Sequence, residues 1–291
     1  MANNKNAVST QIETDLIAGI EGAIVRKARG RDRLSHEIPL LIRRSIDEVI
    51  DAPRTGRFRL SETEKTEKTY LGTKVEILLR NFLGFPKGQI LDLAIDGIET
   101  DIKNTMSGNW MIPQEAIDHP CLLIKEDELT GLYSFGIFIA QVDSLTSGGN
   151  RDGKKSISSS GQERIHWIMK DAPYPKNLWE EVDSKLLARI TRPTSGTERI
   201  DTLFRNLLGK PISRSMILAV ARQKDSMKRL RRNGGARDSL AQDGIALLSG
   251  SYDSDTILAL HLPKCEKDEF ISFKPILQAD KLILRAAGKI K

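Results

Sequence analysis

The stretch that decides the fold is Ile90-Leu91-Asp92-Leu93-Ala94-Ile95-Asp96-Gly97-Ile98-Glu99-Thr100-Asp101-Ile102-Lys103. Its first six residues form an apolar run interrupted by one acid, which predicts a strand. Asp96-Gly97 is a dipeptide typical of a two-residue hairpin turn, because both of its residues tolerate a positive φ. We therefore expect a second strand over 98–104, paired with the first.

Acidic and basic side chains on the two strands form a candidate metal site. Alternate side chains of a strand share one face, so Asp101 and Lys103 are predicted to project together while Ile102 points into the core. The hairpin brings Asp92 near Asp101. Carboxylate oxygens suit Mg²⁺, which polarises a phosphorus centre and lowers the pKa of a bound water. We predict Asp92, Asp101 and the Ile102 carbonyl as Mg²⁺ ligands. The Lys103 ammonium would orient the attacking water and offset charge on the phosphate.

A helix before the hairpin supplies one more candidate carboxylate. The capping box Ser61-Glu62-Thr63-Glu64 predicts its start, and the apolar pattern beyond it runs to Gly84. Glu76 lies within this helix and is predicted as an outer metal ligand that acts through water. The chemistry that these residues favour is metal-dependent hydrolysis of a DNA phosphodiester. Charged residues make up 29% of the chain, so the spacing alone also allows a solvated strand face.

Several blocks of sequence resemble one family of nucleases. Leu71–Glu76, Leu91–Leu93 and Thr100–Lys103 resemble the active-site blocks of NaeI-type restriction endonucleases, which are distant relatives of the MutH mismatch-repair nickase in the PD-(D/E)xK superfamily. Asn109–Ala116 and the segment from Met227 to Arg237 extend the resemblance over nearly the whole chain.

The resemblance carries expectations about activity and fold. It implies that Glu76, Asp92, Asp101 and Lys103 are the active-site residues and that the enzyme is a type II site-specific deoxyribonuclease. It implies an α/β fold with a mixed-sheet restriction-endonuclease-like core, followed by a winged-helix or helix-turn-helix-like domain similar to that of the catabolite activator protein. In the type IIE mode of this family, the second domain binds another DNA copy and activates cleavage. A family-like specificity would be for GCCGGC.

Composition agrees with such an enzyme. At 291 residues the chain predicts two domains of ordinary size, and its formal charge of +6 favours a polyanionic partner. There is no run of eighteen apolar residues and no apolar stretch typical of a signal peptide, so we expect no membrane partner and a cytoplasmic location. Cys121 and Cys265 match no metal spacing and are expected to be reduced thiols.

The chain is predicted to divide near its prolines. We expect an endonuclease domain over 1–170, a linker over 171–176 that contains Pro173-Tyr174-Pro175, and an effector domain over 177–291. Around the catalytic hairpin, periodicity predicts two helices and two strands. These are Thr14–Ala28 and His36–Asp51 for the helices, and Leu122–Ile124 and Tyr133–Val142 for the strands.

A polar, glycine-rich segment follows these strands. Ser144–Arg164 is predicted to be a mobile basic loop. Arg151, Lys154 and Lys155 are its candidate DNA-binding residues, and a plain flexible connection is the alternative.

The second domain contains a basic segment between two predicted short helices. Gly196–Leu208 is predicted as a helix ended by Gly209, Ser213–Asn233 as a basic helix, and Ala236–Gln242 as another helix. Ile245–Leu248 and Ile257–Leu262 are predicted as strands of a wing. The basic side chains are Arg214, Arg222, Lys224, Lys228, Arg229, Arg231 and Arg232. Of these, Arg214, Lys228, Arg229, Arg231 and Arg232 are our candidate phosphate contacts, with a solvated helix as the alternative.

Other nuclease chemistries fit less well. The four histidines are isolated from one another and from any Cys-x-x-Cys pair, which disfavours a histidine-metal or zinc nuclease. We therefore predict a Mg²⁺-dependent endonuclease that cuts both strands of a palindromic site as a homodimer, with two DNA copies per dimer where an effector copy is bound. The alternatives are a MutH-like nickase and a winged-helix DNA-binding regulator with a vestigial site.

Overall fold

The computed structural model of the protein describes residues 2–106, 108–223, 225–231 and 234–290, with side chains described from residue 11 onward. The chain forms two compact units. Unit 1 comprises the chain up to Val49 and Leu60–Asn177, and unit 2 comprises Ile50–Arg59 and the chain from Leu178 onward. The polypeptide therefore enters unit 2 early, returns to unit 1, and enters unit 2 again after Asn177.

The helices and strands are numbered in chain order. The helices are α1 (Ala2–Ala28), α2 (Arg31–Ile50), α3 (Ala52–Thr55), α4 (Lys65–Leu83), α5 (Ser159–Glu163), α6 (Ser184–Thr191), α7 (Gly196–Asn206), α8 (Arg214–Ala221), α9 (Ala236–Gln242), α10 (Ser254–Ala259) and α11 (Gln278–Ala286). The strands are β1 (Leu93–Ile95), β2 (Ile98–Thr105), β3 (Met111–Ile112), β4 (Pro120–Asp127), β5 (Leu132–Ile139), β6 (Leu145–Gly149), β7 (Lys155–Ile157), β8 (His166–Pro173), β9 (Ile212–Ser213), β10 (Ala246–Ser249) and β11 (Glu269–Phe273).

Unit 1 is built on a mixed five-stranded sheet in the order β1-β2-β4-β5-β8. β2 and β4 are parallel, and the other neighbouring pairs are antiparallel. Helix α4 packs against β2. This arrangement agrees with the mixed α/β core that the sequence predicts.

The predicted hairpin is present as β1 and β2. Asp96 and Gly97 have φ values of 49° and 87°, the pair of positive angles that a tight turn of this kind needs. The first strand is shorter than predicted, because only Leu93–Ile95 pair with β2. Residues 89–91 leave the ladder because their backbone amides bind the carboxylate of Glu99 instead.

Helix α4 begins later than predicted. Leu60–Glu62 form a single 3₁₀ turn, and the α-helix starts at Lys65. The capping box that forms is the one between Glu64 and Glu67, in which the Glu67 carboxylate accepts a hydrogen bond from the Glu64 amide at 2.8 Å. The helix ends at Gly84 in the left-handed conformation, as predicted.

The segment predicted as a mobile loop, Ser144–Arg164, has regular structure. It contains β6, β7 and α5, and β7 lies between β6 and β3 in a small antiparallel sheet. Leu145 and Ile157 anchor it in the core of unit 1. The mobile-loop prediction is wrong, because the segment forms two strands and a helix and its two core residues, although few, are buried.

The predicted linker over 171–176 starts within a strand. Asp171, Ala172 and Pro173 complete β8, and Tyr174 is buried with its hydroxyl donating to Glu128 Oε2 at 2.8 Å. Pro173 is tolerated because it ends a strand at the edge of the sheet. The units divide instead between Asn177 and Leu178.

Unit 2 has a helical core with a three-stranded antiparallel sheet, in the order β10-β11-β9. The segment Ile50–Arg59 belongs to this core, because Phe58 packs on Trp179 with ring centroids 4.7 Å apart. Ile257–Leu262, predicted as a wing strand, instead lies in α10 and the turn after it, and the strand that pairs with β10 is β11. A short apolar run does not distinguish a strand from a buried helix.

The predicted basic helix over 213–233 is also broken. Helix α8 ends at Ala221, where Arg222 adopts a left-handed φ of 51°. The buried guanidinium of Arg199 donates to the carbonyls of Val220 and Ala221 at 2.7 and 2.6 Å, which satisfies carbonyls at the end of the helix. A 3₁₀ segment, Ser226–Leu230, follows, so most of the basic residues lie outside any α-helix.

No helix within the described part of the chain combines the length and apolar character that crossing a membrane requires.

Candidate active site

Helix α4 presents Glu76 beside the sheet. Leu71, Val75, Leu79 and Leu83 recur at helical spacing and bury one face of α4. Glu76 follows Val75 and is partly buried. Its pKa is raised to about 7, first by burial and then by the negative charge of Asp92 and a hydrogen bond with it.

The other predicted site residues meet around the middle of β2. The Asp92 carboxylate accepts a hydrogen bond from the Ile102 amide at 2.9 Å. Lys103 Nζ lies 2.7 Å from Asp101 Oδ2 and 3.9 Å from Asp92 Oδ2. It also donates to the Ile102 carbonyl at 3.0 Å. The structure thus brings together the four residues predicted from the sequence.

The carboxylates of this cluster differ in the direction of their pKa shifts. Burial raises the pKa of Asp101 to about 6, and its hydrogen bond with Asp92 acts in the same direction while Lys103 opposes them. For Asp92 burial also acts to raise the pKa, but hydrogen bonds from Asp101 and the Ile102 amide, with the charge of Lys103, outweigh it and lower the pKa. Asp92 is therefore the member that stays ionised most readily.

The donor chemistry of the cluster fits Mg²⁺. Asp101 Oδ2 is buried and lies 2.7 Å from Lys103 Nζ. Two carboxylates and the Ile102 carbonyl are hard oxygen ligands, and Mg²⁺ commonly takes only one or two protein carboxylates, with water and phosphate completing its shell. Within the described chain, no three acidic, histidine or cysteine side chains are already arranged as a ligand group.

A residue that the sequence did not single out organises the loop before Asp92. The Glu99 carboxylate accepts hydrogen bonds from the amides of Gln89, Ile90 and Leu91 at 2.7, 3.1 and 2.8 Å. These bonds, led by that of Leu91, lower the pKa of Glu99. A charged residue in a strand next to a tight turn gives no sequence signal of such a role, because its partners are backbone groups.

The predicted DNA-binding residues of unit 1 lie on the β6–β7 hairpin. Its turn is held by Asn150, whose Oδ1 accepts from the amides of Asp152 and Lys154 at 3.0 and 2.9 Å. Arg151 and Lys154 are exposed at this turn, and Lys155 begins β7, which pairs with β3. The three cations therefore stand on a structured hairpin.

The predicted basic residues of unit 2 are dispersed. Arg214 is exposed at the start of α8, and Arg231 is exposed after the 3₁₀ segment. Lys228 pairs with Asp225 at 2.6 Å, and Arg229 donates to Gln223 at 2.8 Å. Arg232, and Lys224 of the predicted basic helix, lie outside the described residues.

Comparison with known proteins identifies the family. The family model for restriction endonuclease NaeI matches residues 23–281. The chain is also 33% identical over 261 residues to the type II restriction enzyme NaeI of Lentzea aerocolonigenes, a match that covers 86% of this chain and 81% of the relative.

The chain belongs to the NaeI restriction endonuclease family. The family resemblance inferred from the active-site blocks is therefore confirmed. This NaeI-family enzyme is a site-specific deoxyribonuclease, a hydrolase that acts on DNA, and the match spans both of its compact units.

Proposed function

We propose that the protein is a Mg²⁺-dependent type II endonuclease that cuts both DNA strands at the cluster of Glu76, Asp92, Asp101 and Lys103. The observation that carries the proposal is the position of Lys103 Nζ, 2.7 Å from one carboxylate and 3.9 Å from another. An amine within reach of two carboxylates can serve both metal binding and phosphate chemistry.

Each residue has a distinct role in this proposal. Bound Mg²⁺ would polarise the scissile phosphate and acidify a water molecule. Asp92 and Asp101 would hold the ion together with the Ile102 carbonyl, and Glu76 would accept a hydrogen bond from a water in its shell. Lys103 would move from its ion pair with Asp101 to contact the phosphate and orient the water, since a cation there stabilises the charge that develops in the transition state.

We propose that unit 2 is a winged-helix DNA-binding module. Its order of elements supports this: α7, β9, α8, α9, β10 and β11 follow the helix-strand-helix-helix-strand-strand order of such modules, with α10 inserted before β11. The basic residues Arg214, Lys228, Arg229, Arg231 and Arg232 would contact phosphates. This module would bind an effector copy of the DNA and favour cleavage at the other copy, the type IIE mode.

We further propose a homodimer acting on a palindromic, GC-rich site, with GCCGGC as the first sequence to test. Two-fold symmetry lets each subunit cut one strand of such a site. The hairpin residues Arg151, Lys154 and Lys155 would approach the DNA at the cleaved site. Base specificity changes through a few side chains, so the recognition sequence has to be measured. Digesting a plasmid with the protein and sequencing the ends of the products identifies that sequence.

Two alternatives predict different products. A MutH-like nickase would accumulate open-circular plasmid without converting it to linear DNA. A non-catalytic regulator would bind DNA and cut none, but the cluster retains three carboxylates and a lysine in contact, which supports catalysis.

Substitution of Lys103 or Asp92 by alanine tests the active site. Either change should abolish Mg²⁺-dependent cleavage while leaving specific DNA binding nearly intact, since it removes a group needed mainly in the transition state. Lys125→Ala is the matched control, because Lys125 lies on the neighbouring strand opposite Thr105. A folded Lys103→Ala or Asp92→Ala enzyme that cuts at the wild-type rate would show that the chemistry lies elsewhere.

A further inference from the structure

We propose that Glu99 is a positioning residue for cleavage, because it fixes the loop that delivers Asp92 to the active site. This inference rests on the proposed role of Asp92 as a metal ligand. Glu99 lies on β2, two residues before Asp101, and its carboxylate accepts hydrogen bonds from the loop that precedes Asp92.

The geometry concentrates three hydrogen bonds on one side chain. Glu99 Oε1 accepts from Gln89, and Oε2 accepts from both Ile90 and Leu91. Three consecutive amides therefore converge on one carboxylate, and the next residue is Asp92. Hydrogen bonds to an ionised acceptor are about twice as strong as neutral ones. The loop is thereby held up to Leu91, the residue directly before the proposed metal ligand Asp92.

The other side of Asp92 is also fixed. Its carboxylate accepts the Ile102 amide, and Leu93 directly after it pairs with Thr100 in the hairpin. Glu99 thus completes a frame in which the backbone on both sides of Asp92 is bound to the same strand, β2. A ligand held in place before the ion arrives loses little freedom on binding, which favours affinity and orientation.

The loop sequence is adapted to this carboxylate. A Cβ atom at Gly88 would lie 2.5 Å from Glu99 Oε2 and 2.6 Å from the Leu91 carbonyl oxygen. Both distances are shorter than any tolerable contact, and the second involves backbone. A side chain at 88 would therefore push the loop and Glu99 apart, which gives a second way to perturb the same contact without touching Glu99.

Glu99→Gln and Gly88→Ala test the proposal in the full-length protein. Glutamine keeps the size of the side chain, but its amide group presents N–H donors to backbone donors. The matched control is Asp127→Asn, since Asp127 also accepts two backbone amides, from Leu129 and Thr130, in the β4–β5 turn. That turn begins six residues beyond Cys121, the partner of Asp101, which places it roughly 20 Å from the site along the strand.

Three measurements separate positioning from general stability. Hydrogen exchange of peptides covering 86–92 reports the loop, electron paramagnetic resonance of free Mn²⁺ reports ion binding, and single-turnover plasmid cleavage over a range of Mg²⁺ concentrations reports catalysis. Thermal unfolding of every variant shows whether it is folded. Changing a group that orients a ligand commonly costs roughly 10- to 100-fold in metal affinity or activity.

We expect Glu99→Gln and Gly88→Ala to accelerate exchange at 89–91, to weaken Mn²⁺ binding and to slow cleavage at limiting Mg²⁺, with partial recovery at high Mg²⁺. Asp127→Asn should leave ion binding and cleavage unchanged. If the loop loosens in Glu99→Gln but Mn²⁺ affinity and cleavage match those of Asp127→Asn, Glu99 is only structural and the inference is overturned. If Asp92→Ala remains active, the proposed active site is wrong, and the inference about Glu99 falls with it. Failure of the Glu99 inference alone is distinguishable, because Asp92→Ala is then inactive.

Discussion

Replacing Glu126 by glutamine should increase the stability of the protein relative to the wild type progressively as the pH rises from 5 to 8. Glu126 lies on β4, which pairs with β2, and is only 1% exposed. Asn104 Nδ2 donates to its Oε1 at 3.0 Å, while within the described contacts its Oε2 and Asn104 Oδ1 are buried without a hydrogen-bond partner. Burial, reinforced by the charge of Glu128, raises the pKa of Glu126 to about 8.

The direction of the effect follows from proton binding. In the unfolded chain Glu126 loses its proton near its ordinary pKa of 4.5, whereas in the folded protein it keeps the proton to about pH 8. Between these values the folded state binds more protons, so the stability of the wild type falls as the pH rises. At about 1.4 kcal/mol per pH unit, the loss amounts to roughly 4 kcal/mol between pH 5 and pH 8. Glutamine is neutral throughout and has no such loss.

Thermal unfolding by circular dichroism at pH 5, 6, 7 and 8 and constant ionic strength measures this change. The difference in Tm between Glu126→Gln and the wild type cancels the titration of every other group, and should grow by on the order of 10 °C across the range. Glu115→Gln, at an exposed carboxylate, is the control and should show a constant difference. A Tm difference for Glu126→Gln that stays equal at pH 5 and pH 8 would refute the reasoning, because Glu126 would then ionise normally in the folded state.

The remaining predictions concern unit 2. Neutral substitutions at Lys228, Arg229, Arg231 and Arg232 should weaken DNA binding and flatten the plot of log affinity against log salt. The slope should change by up to about 0.9 for each phosphate that the protein no longer neutralises. A slope equal to that of the wild type would mean that these residues are solvated surface residues without phosphate contacts. A short cognate duplex should accelerate cleavage of a plasmid with one poorly cut site if unit 2 binds effector DNA, and these substitutions should remove the acceleration. Inhibition at every duplex concentration would contradict the effector proposal.

The β1–β2 hairpin could be predicted from the sequence because its determinants are local. Asp96-Gly97 specifies the turn through backbone conformation alone, and the alternation of β2 places Asp101 and Lys103 on one side. The pairing of Lys103 with both carboxylates then follows from the register of two adjacent strands. Glu76 was accessible only through the helical pattern together with the family resemblance.

The features that could not be predicted depend on partners far apart in sequence. Helix α8 ends where Arg199, more than twenty residues earlier, donates to its last carbonyls, and no periodicity in 213–233 reveals that contact. The hairpin formed by β6 and β7 was hidden for a different reason. A polar, glycine-rich composition indicates mobility on average, whereas two buried residues and one asparagine-stabilised turn are enough to fold it.

The excursion of Ile50–Arg59 has a consequence for protein engineering. Because this segment packs in unit 2 while the chain on both sides of it belongs to unit 1, the units are joined at three points of the backbone rather than one. A chimera made by a single crossover at Asn177 would leave Phe58 without Trp179, its ring partner. Exchange of unit 2 between relatives therefore requires Ile50–Arg59 to be transferred together with the C-terminal half. A fragment that stops at residue 170 would also lack the last strand residues of β8.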